Sequence, residues 1–202
     1  MALLVLVRHG QSVANLANVF TGWLDVALTP QGEAEARQAG QRLHALHFDL
    51  AYCSTLIRSR RTLELILAQL HQDSVPVVAA DALRERMYGA LQGLNKAETI
   101  RKYGEDQVNR WRRSYEDAPP EGETLHHTQQ RVFAYFETEI GPQLRRGKNV
   151  LVVSHGNTLR ALRMQLEGLS VAQVEALEIP TGGIRAYDLD PDLRIRRAWD
   201  LP

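Results

Sequence analysis

Two histidines in this sequence stand where a nucleophile would be most useful. His9-Gly10 follows the apolar run at residues 3–7 (LLVLV) with Arg8 between, and His155-Gly156 follows Val150–Ser154 (VLVVS). Apolar runs without polar alternation suit strands buried on both faces of a parallel sheet. Ligands of open parallel sheets bind beyond the carboxyl ends of the strands. If the two strands are neighbours, two imidazoles lie side by side at that edge. Either histidine alone reads as a core or loop residue, but matching placement of both reads as a pair. A neutral imidazole can attack phosphorus and carry the phosphoryl group covalently, splitting one transfer into two steps. Arg8 adjoins His9, and Arg58 opens the helix after the second strand. Guanidinium groups grip phosphate oxygens two at a time and offset charge in the loose transition state. Arg58, Arg60 and Arg61 cannot all face one way at helical spacing, so at most one or two enter a site.

The elements that must position these groups follow from pattern. Thr29-Pro30 reads as N-cap and first residue of a helix, with Glu33 and Glu35 near its positive end and an apolar stripe of Ala36, Ala39, Leu43 and Leu46. Residues 49–54 (DLAYCS) read as a second strand, 56–70 as a helix and 75–78 as a third strand. Alternation of strand and helix predicts an α/β fold: a three-layer sandwich, with a mostly parallel central sheet and helices on both faces. The stretch 81–123 is rich in Arg, Glu, Gly and Tyr, with short helices around 97–103 and Glu105–Arg113. Thr124 can cap a long helix bearing Val132, Tyr135, Phe136, Ile140 and Leu144 on one side. A helix at 158–167 and a capping box at 170–173 come next, then a hairpin from Ile184–Leu189 and 193–199 around Asp190-Pro191-Asp192. No linker, repeat or low-complexity segment divides the chain, so one domain is expected over residues 1–202.

Composition narrows the partners. The 202 residues hold 24 Lys+Arg against 24 Asp+Glu, a formal net charge of zero, with 44% hydrophobic residues. That is globular composition without the cationic excess of a protein that binds nucleic acid or anionic lipid over a broad face. The single Cys53 cannot form an internal disulfide. The amino-terminal apolar run is far shorter than the ~20 residues that span a bilayer, and it lacks the basic start of a signal peptide. A cytoplasmic protein, attached to neither membrane nor nucleic acid, is the expectation. His126-His127 and the Asp188, Asp190, Asp192 set lack the partners of a ligand shell, so no metal is expected.

The chain resembles a known family over nearly its whole length. Val7-Arg8-His9-Gly10-Gln11-Ser12 with Asn15, then Phe20-Thr21-Gly22-Trp23 and Leu28-Thr29, is similar to the opening of the cofactor-dependent phosphoglycerate mutases of the histidine phosphatase superfamily. The stretch from Glu85-Arg86-Met87-Tyr88-Gly89-Ala90-Leu91-Gln92-Gly93-Leu94-Asn95-Lys96, with Tyr103-Gly104 and Trp111-Arg112-Arg113, narrows the resemblance to the mutases. It continues through the second histidine to the Pro180-Thr181-Gly182 loop. The resemblance implies that His9 is phosphorylated, that His155 donates to phosphoryl oxygens, and that Arg8 and Arg58 complete the phosphate pocket. It makes Glu85 the general acid/base. It makes Gly10, Gln11, Ser12, Asn15, Thr21, Gly22, Arg86, Tyr88, Lys96, Arg112, Arg113, Gly156 and Asn157 substrate-binding.

The implied reaction interconverts 3-phosphoglycerate and 2-phosphoglycerate, as in glycolysis and gluconeogenesis, through phospho-His9 primed by 2,3-bisphosphoglycerate. The implied partner is a small phosphorylated carboxylic acid, and a homo-oligomer is left open. Gln11 stands where many relatives carry Glu, and Met87 where the family more often has His or Tyr. The short segment at 120–124 and the end at Pro202 match the short branch of the family and imply a less covered site with some phosphatase activity. A hydrolase of small phosphate esters is therefore the alternative, and a non-catalytic domain that kept the fold is a third.

Overall fold

The structure, a computed structural model, describes residues 1–201; Pro202, the last residue of the expected domain, lies outside them. Six strands form one sheet: β1 (Ala2–Arg8), β2 (Leu50–Ser54), β3 (Val77–Ala80), β4 (Val150–Ser154), β5 (Ile184–Leu189) and β6 (Ile195–Leu201). Their order is β3-β2-β4-β1-β5-β6. The first four run parallel, while β5 is antiparallel to β1 and β6 to β5. The helices are α1 (Val13–Leu16), α2 (Pro30–Arg42), α3 (Ile57–Leu70), α4 (Lys96–Tyr103), α5 (Glu105–Arg113), α6 (Leu125–Tyr135), α7 (Gly141–Arg145), α8 (Gly156–Glu167) and α9 (Val171–Ala176).

Alternation along the strands sorts the core into two layers. Leu4 and Leu6, Leu50 and Tyr52, and Val150 and Val152 face Val132, Phe136, Leu159 and Leu162 of the α6–α8 side. Val5 and Val7, Ala51 and Cys53, and Leu151 and Val153 face Ala39, Leu63, Ile66 and Leu67 of the α2–α3 side. Both faces of the central strands are therefore covered, as their unbroken apolar runs require. Thr29 Oγ1 accepts from Gly32 N at 3.0 Å, with Pro30 first in α2. Among the described residues, no helix is long and apolar enough to cross a membrane.

Several boundaries differ from expectation for identifiable reasons. The third strand starts at Val77, after Pro76, which has no N–H to give a ladder. α2 ends at Arg42, so Leu43 becomes its C-cap and Leu46 packs from the loop beyond. The long helix after Thr124 breaks into α6, a π-helical turn at Phe136–Ile140 and α7. Pro142 lies just past that turn and cannot donate to the carbonyl four residues back, so the winding widens. The second arm of the hairpin starts at Ile195 because Leu193 sits at φ +61° in the turn, where Asp190 Oδ1 accepts from Asp192 N and Arg194 N.

Candidate active site

β1 and β4 are hydrogen-bonded neighbours in parallel register, with Arg8 opposite Ser154. His9 and His155 are therefore each the next residue beyond the sheet, and His9 N donates to Ser154 O at 2.9 Å. The two imidazole centroids are 4.9 Å apart, edge to face. His9 is 3% exposed and His155 is fully buried. Burial, then the Arg58 and Arg8 charges, hold the His9 imidazole well below the ordinary histidine range. Burial and Arg58, with smaller contributions from His9 and Arg8, do the same for His155. Both rings are neutral at neutral pH.

Hydrogen bonds assign the working nitrogen of each ring. His9 Nδ1 lies 2.7 Å from Gly10 O, and a carbonyl can only accept, so Nδ1 carries the proton and Nε2 keeps its lone pair. His155 Nε2 lies 2.7 Å from Ser54 Oγ, at the end of β2 on the other side of β4. Ser54 Oγ already accepts from Leu56 N at 3.3 Å, so its hydrogen is free for Nε2. That arrangement leaves the His155 proton on Nδ1, a buried atom with no partner among the described residues. One imidazole thus offers a lone pair and the other a donor.

Arg8 and Arg58 flank the pair, and neither has a carboxylate partner among the described residues. Arg58 is 1% exposed, donates to Leu24 O and Gly22 O at 2.9 and 2.8 Å, and is pushed by burial down to about 10. Gly22 sits at φ +52°, a backbone conformation that favours glycine, and a Cβ there would displace the Gln92 amide that packs against it. Arg8 donates one Nη to Ile179 O at 2.5 Å, while its Nε is buried and unpaired. Burial also lowers the Arg8 guanidinium, against the raising effect of Glu85. Glu85 Oε1 accepts from Arg86 N at 2.9 Å and from Asn157 N, in the first turn of α8, at 3.0 Å. The second carboxylate oxygen makes no hydrogen bond among the described residues and lies beside Gly156.

His9, Arg8, Arg58 and Glu85 line a cavity of about 160 Å³, small beside the several hundred Å³ of a site for drug-sized ligands. Arg8, His9, Asn15, Thr21, Gly22, Arg58, Glu85, Tyr88, Lys96, Arg112, Arg113, Gly156 and Asn157 all line it. Asn15 Oδ1 is taken by Ser12 N and Oγ, each at 3.0 Å, which leaves its amide Nδ2 as the free group. Lys96, first in α4, is pushed down by burial and next by Arg112. Six lining cations face two carboxylates, Glu85 and Glu178. That excess of cations over carboxylates in an enclosed site calls for a polyanion.

Five residues expected in the pocket do not line it; one is His155, fully buried against the His9 ring and Ser54, and the other four serve packing and positioning. Gly10 donates to Thr62 Oγ1 at 3.1 Å and lies so close to Gly32 O that a Cβ would clash, so it serves backbone packing against α2. Gln11 faces Thr29 and Glu35, accepting from Thr29 Oγ1 at 2.9 Å. Ser12 is fully buried as the N-cap of α1 and positions Asn15. Arg86, also fully buried, donates from Nη2 to Trp111 O and Arg112 O at the carboxyl end of α5, and so holds that helix end by the site. Arg113 lines the cavity but is paired with Glu178.

Sequence reasoning missed Ser54, Trp23, Arg160 and Glu178. Trp23 Nε1 donates to Glu85 O at 2.7 Å, between the Arg84 and Arg131 guanidiniums. Arg160 and Glu178 both line the cavity. A polar residue ending a buried strand was the available signal for Ser54, and helical spacing from Gly156 and Asn157 was the signal for Arg160.

Comparison with known proteins agrees with this geometry. The profile of the histidine phosphatase superfamily (branch 1) matches residues 4–200. A 2,3-bisphosphoglycerate-dependent phosphoglycerate mutase of Cytophaga hutchinsonii is 51% identical over 193 residues, covering 96% of this chain and 90% of its own. A second protein of that name, from Gloeobacter violaceus, is 56% identical over 179 residues, covering 89% and 82%. Among solved structures, a mycobacterial glucosyl-3-phosphoglycerate phosphatase superposes with a TM-score of 0.80 at 26% identity, over 99% of both chains. Bacillus stearothermophilus YhfR shares the fold, with a TM-score of 0.85 at 24% identity, over 97% of this chain and 95% of that one. The chain belongs to branch 1 of the histidine phosphatase superfamily.

Proposed function

We propose that the protein interconverts 3-phosphoglycerate and 2-phosphoglycerate through a phosphohistidine at His9, with 2,3-bisphosphoglycerate as the priming donor. The observation that carries this reading is the pair of unpaired buried donors, Arg8 Nε and His155 Nδ1, around the free lone pair of His9 Nε2. Buried donors left without a protein partner beside a nucleophile can receive the oxygens of a phosphoryl group. The second cationic group, Lys96 with Arg112, gives the far end of a small acid its own partners. The names of relatives about half identical to this chain supply the substrate.

The same donors and cations fit 2,3-bisphosphoglycerate, with one phosphate at Arg8, Arg58 and His155 and the rest toward Lys96 and Arg112. When bound, that molecule supplies the phosphoryl group His9 first takes up. In each transfer His9 Nε2 attacks phosphorus as the bond from phosphorus to the substrate oxygen breaks. The free oxygen of Glu85 gives that substrate oxygen its proton, and removes a proton from the accepting hydroxyl in the reverse sense. Arg8, Arg58 and His155 Nδ1–H bear on the phosphoryl oxygens where negative charge spreads in the transition state. Fixing the acid within reach gives its hydroxyl a high effective concentration and favours transfer over hydrolysis.

The test is turnover of 3-phosphoglycerate by purified protein, with and without catalytic 2,3-bisphosphoglycerate. Isomerisation that requires the bisphosphate, with labelling lost in His9→Ala, is expected. Phosphate release without isomerisation would overturn the reading in favour of a phosphate-ester hydrolase.

A further inference from the structure

Arg160 on α8 is a buried cation that the transfer chemistry above does not use. It is 4% exposed and forms no salt bridge among the described residues. Its Nε donates to Val174 O at 3.0 Å, and its Nη2 to Val174 O and Glu175 O at 2.5 and 2.9 Å. Its remaining nitrogen, Nη1, donates to Asn157 Oδ1 at 2.9 Å. Burial of this guanidinium among other cations, Arg113 and Arg86, pushes it down to about 10, still charged at neutral pH.

A guanidinium has donors and no acceptor, so the contact with Arg160 fixes which way the Asn157 amide faces. The oxygen must point at Arg160, and the amide nitrogen must point the other way. It does, donating to Tyr88 Oη at 3.2 Å. Arg86, which also can only donate, reaches the same oxygen at 3.2 Å and lies 4.9 Å over the Tyr88 ring. Asn157 Nδ2 is thus the full donor to the phenol oxygen, and Arg86 Nη2 adds a hydrogen it shares with the Trp111 or Arg112 carbonyl. The Tyr88 hydrogen finds no acceptor among the described residues, and Tyr88 lines the cavity.

We infer that Arg160 is a positioning residue for the proposed reaction, acting through the Asn157 amide to hold the Tyr88 hydroxyl as an obligate donor to an anionic group of the bound acid. Without Arg160, Asn157 is free to turn its oxygen to Tyr88, and the phenol hydrogen can then be spent on that oxygen. The phenol itself responds to the same neighbours. Burial raises it, but the Arg86 charge and the hydrogen bonds from Arg86 and Asn157 outweigh burial and leave it below the ordinary tyrosine range.

The inference rests on the proposed substrate class, and a double-mutant cycle separates the two. Binding of 3-phosphoglycerate is measured by calorimetry in wild type, Arg160→Met, Tyr88→Phe and the double variant, with near-ultraviolet dichroism to verify folding. Loss of one hydrogen bond to a charged group predicts affinity about tenfold or more weaker in each single variant. The double variant is expected to match Tyr88→Phe alone, because Arg160 has nothing left to orient. Additive losses would overturn the inference and make Arg160 a direct electrostatic contact. Should Arg160→Met fail to fold, Arg160→Gln, whose amide can accept as well as donate and so does not dictate the Asn157 orientation, enters the same cycle. A second readout is the phenol titration at 295 nm, taken as the difference from Tyr88→Phe. It should move upward in either Arg160 variant, and an unmoved titration counts against the inference. Wild-type protein that binds 3-phosphoglycerate but does not isomerise it sinks the proposed function and leaves the cycle interpretable.

Discussion

Acid lability should report the two buried imidazoles directly. In the folded chain both lie well below the ordinary histidine range, whereas in the unfolded chain histidine titrates near pH 6.5. Between those values the unfolded state binds two protons that the native state refuses. Stability is therefore complete above about pH 7.5 and falls as pH falls. Each group approaches a slope of about 1.4 kcal/mol per pH unit, so the pair removes about 4 kcal/mol between pH 7.5 and 5.0. That is a large share of a typical 5–15 kcal/mol. Carboxylates held low by partners, such as Glu123 beside Arg131, lose their contribution only at lower pH. Urea unfolding followed by tryptophan fluorescence across this range, in buffers free of phosphate, measures the effect. A profile flat to within about 1 kcal/mol would refute the reasoning. So would an equal loss in the His9→Asn, His155→Asn double variant.

Three further outcomes are expected. Ser54→Ala removes the partner of His155 Nε2, and a buried group left unsatisfied costs about 1–3 kcal/mol. His9 phosphorylation should slow roughly 10- to 100-fold in rapid-quench measurements, and a change under twofold would show that Ser54 does not orient the ring. Trp23→Phe keeps the packing between Arg84 and Arg131 but loses the bond to Glu85 O, so kcat should fall about tenfold at little changed KM; a KM effect alone would place Trp23 in binding. Gly10→Ala drives a Cβ into the Gly32 carbonyl, and thermal unfolding should reveal a loss of at least about 2 kcal/mol; an unchanged Tm would contradict the close packing.

The histidine pair was legible because unbroken apolar runs announce buried parallel strands, and the residue after such a strand reaches the sheet edge. β1 and β4 supply His9 and His155 by that rule. Arg58 followed from its place just beyond β2. Glu85 was readable only through resemblance, since the loop that carries it has no periodicity and is held by tertiary bonds from Trp23 and Asn157. Gly10, Gln11, Ser12 and Arg86 show the limit of a motif, which gives nearness along the chain and not the direction of a side chain. Arg86 sits one residue from Glu85 yet turns to the end of α5. Glu178 was invisible because its partner, Arg113, lies far away in sequence.

The sheet order has a consequence for synthesis. β4 lies between β1 and β2, yet it is made only after both, so the central strand is the fourth to leave the ribosome. Until residue 154 emerges, β1 and β2 expose the edges that β4 will fill, and such bare edges invite pairing with other chains. His9, Arg8, Arg58 and Glu85 are by then all present but have no frame that aligns them. Contacts this distant in sequence also slow folding, since a long loop must close first. The site is thus assembled late, once the strand that joins β1 to β2 has brought the second imidazole and the chain beyond it has closed over Arg8.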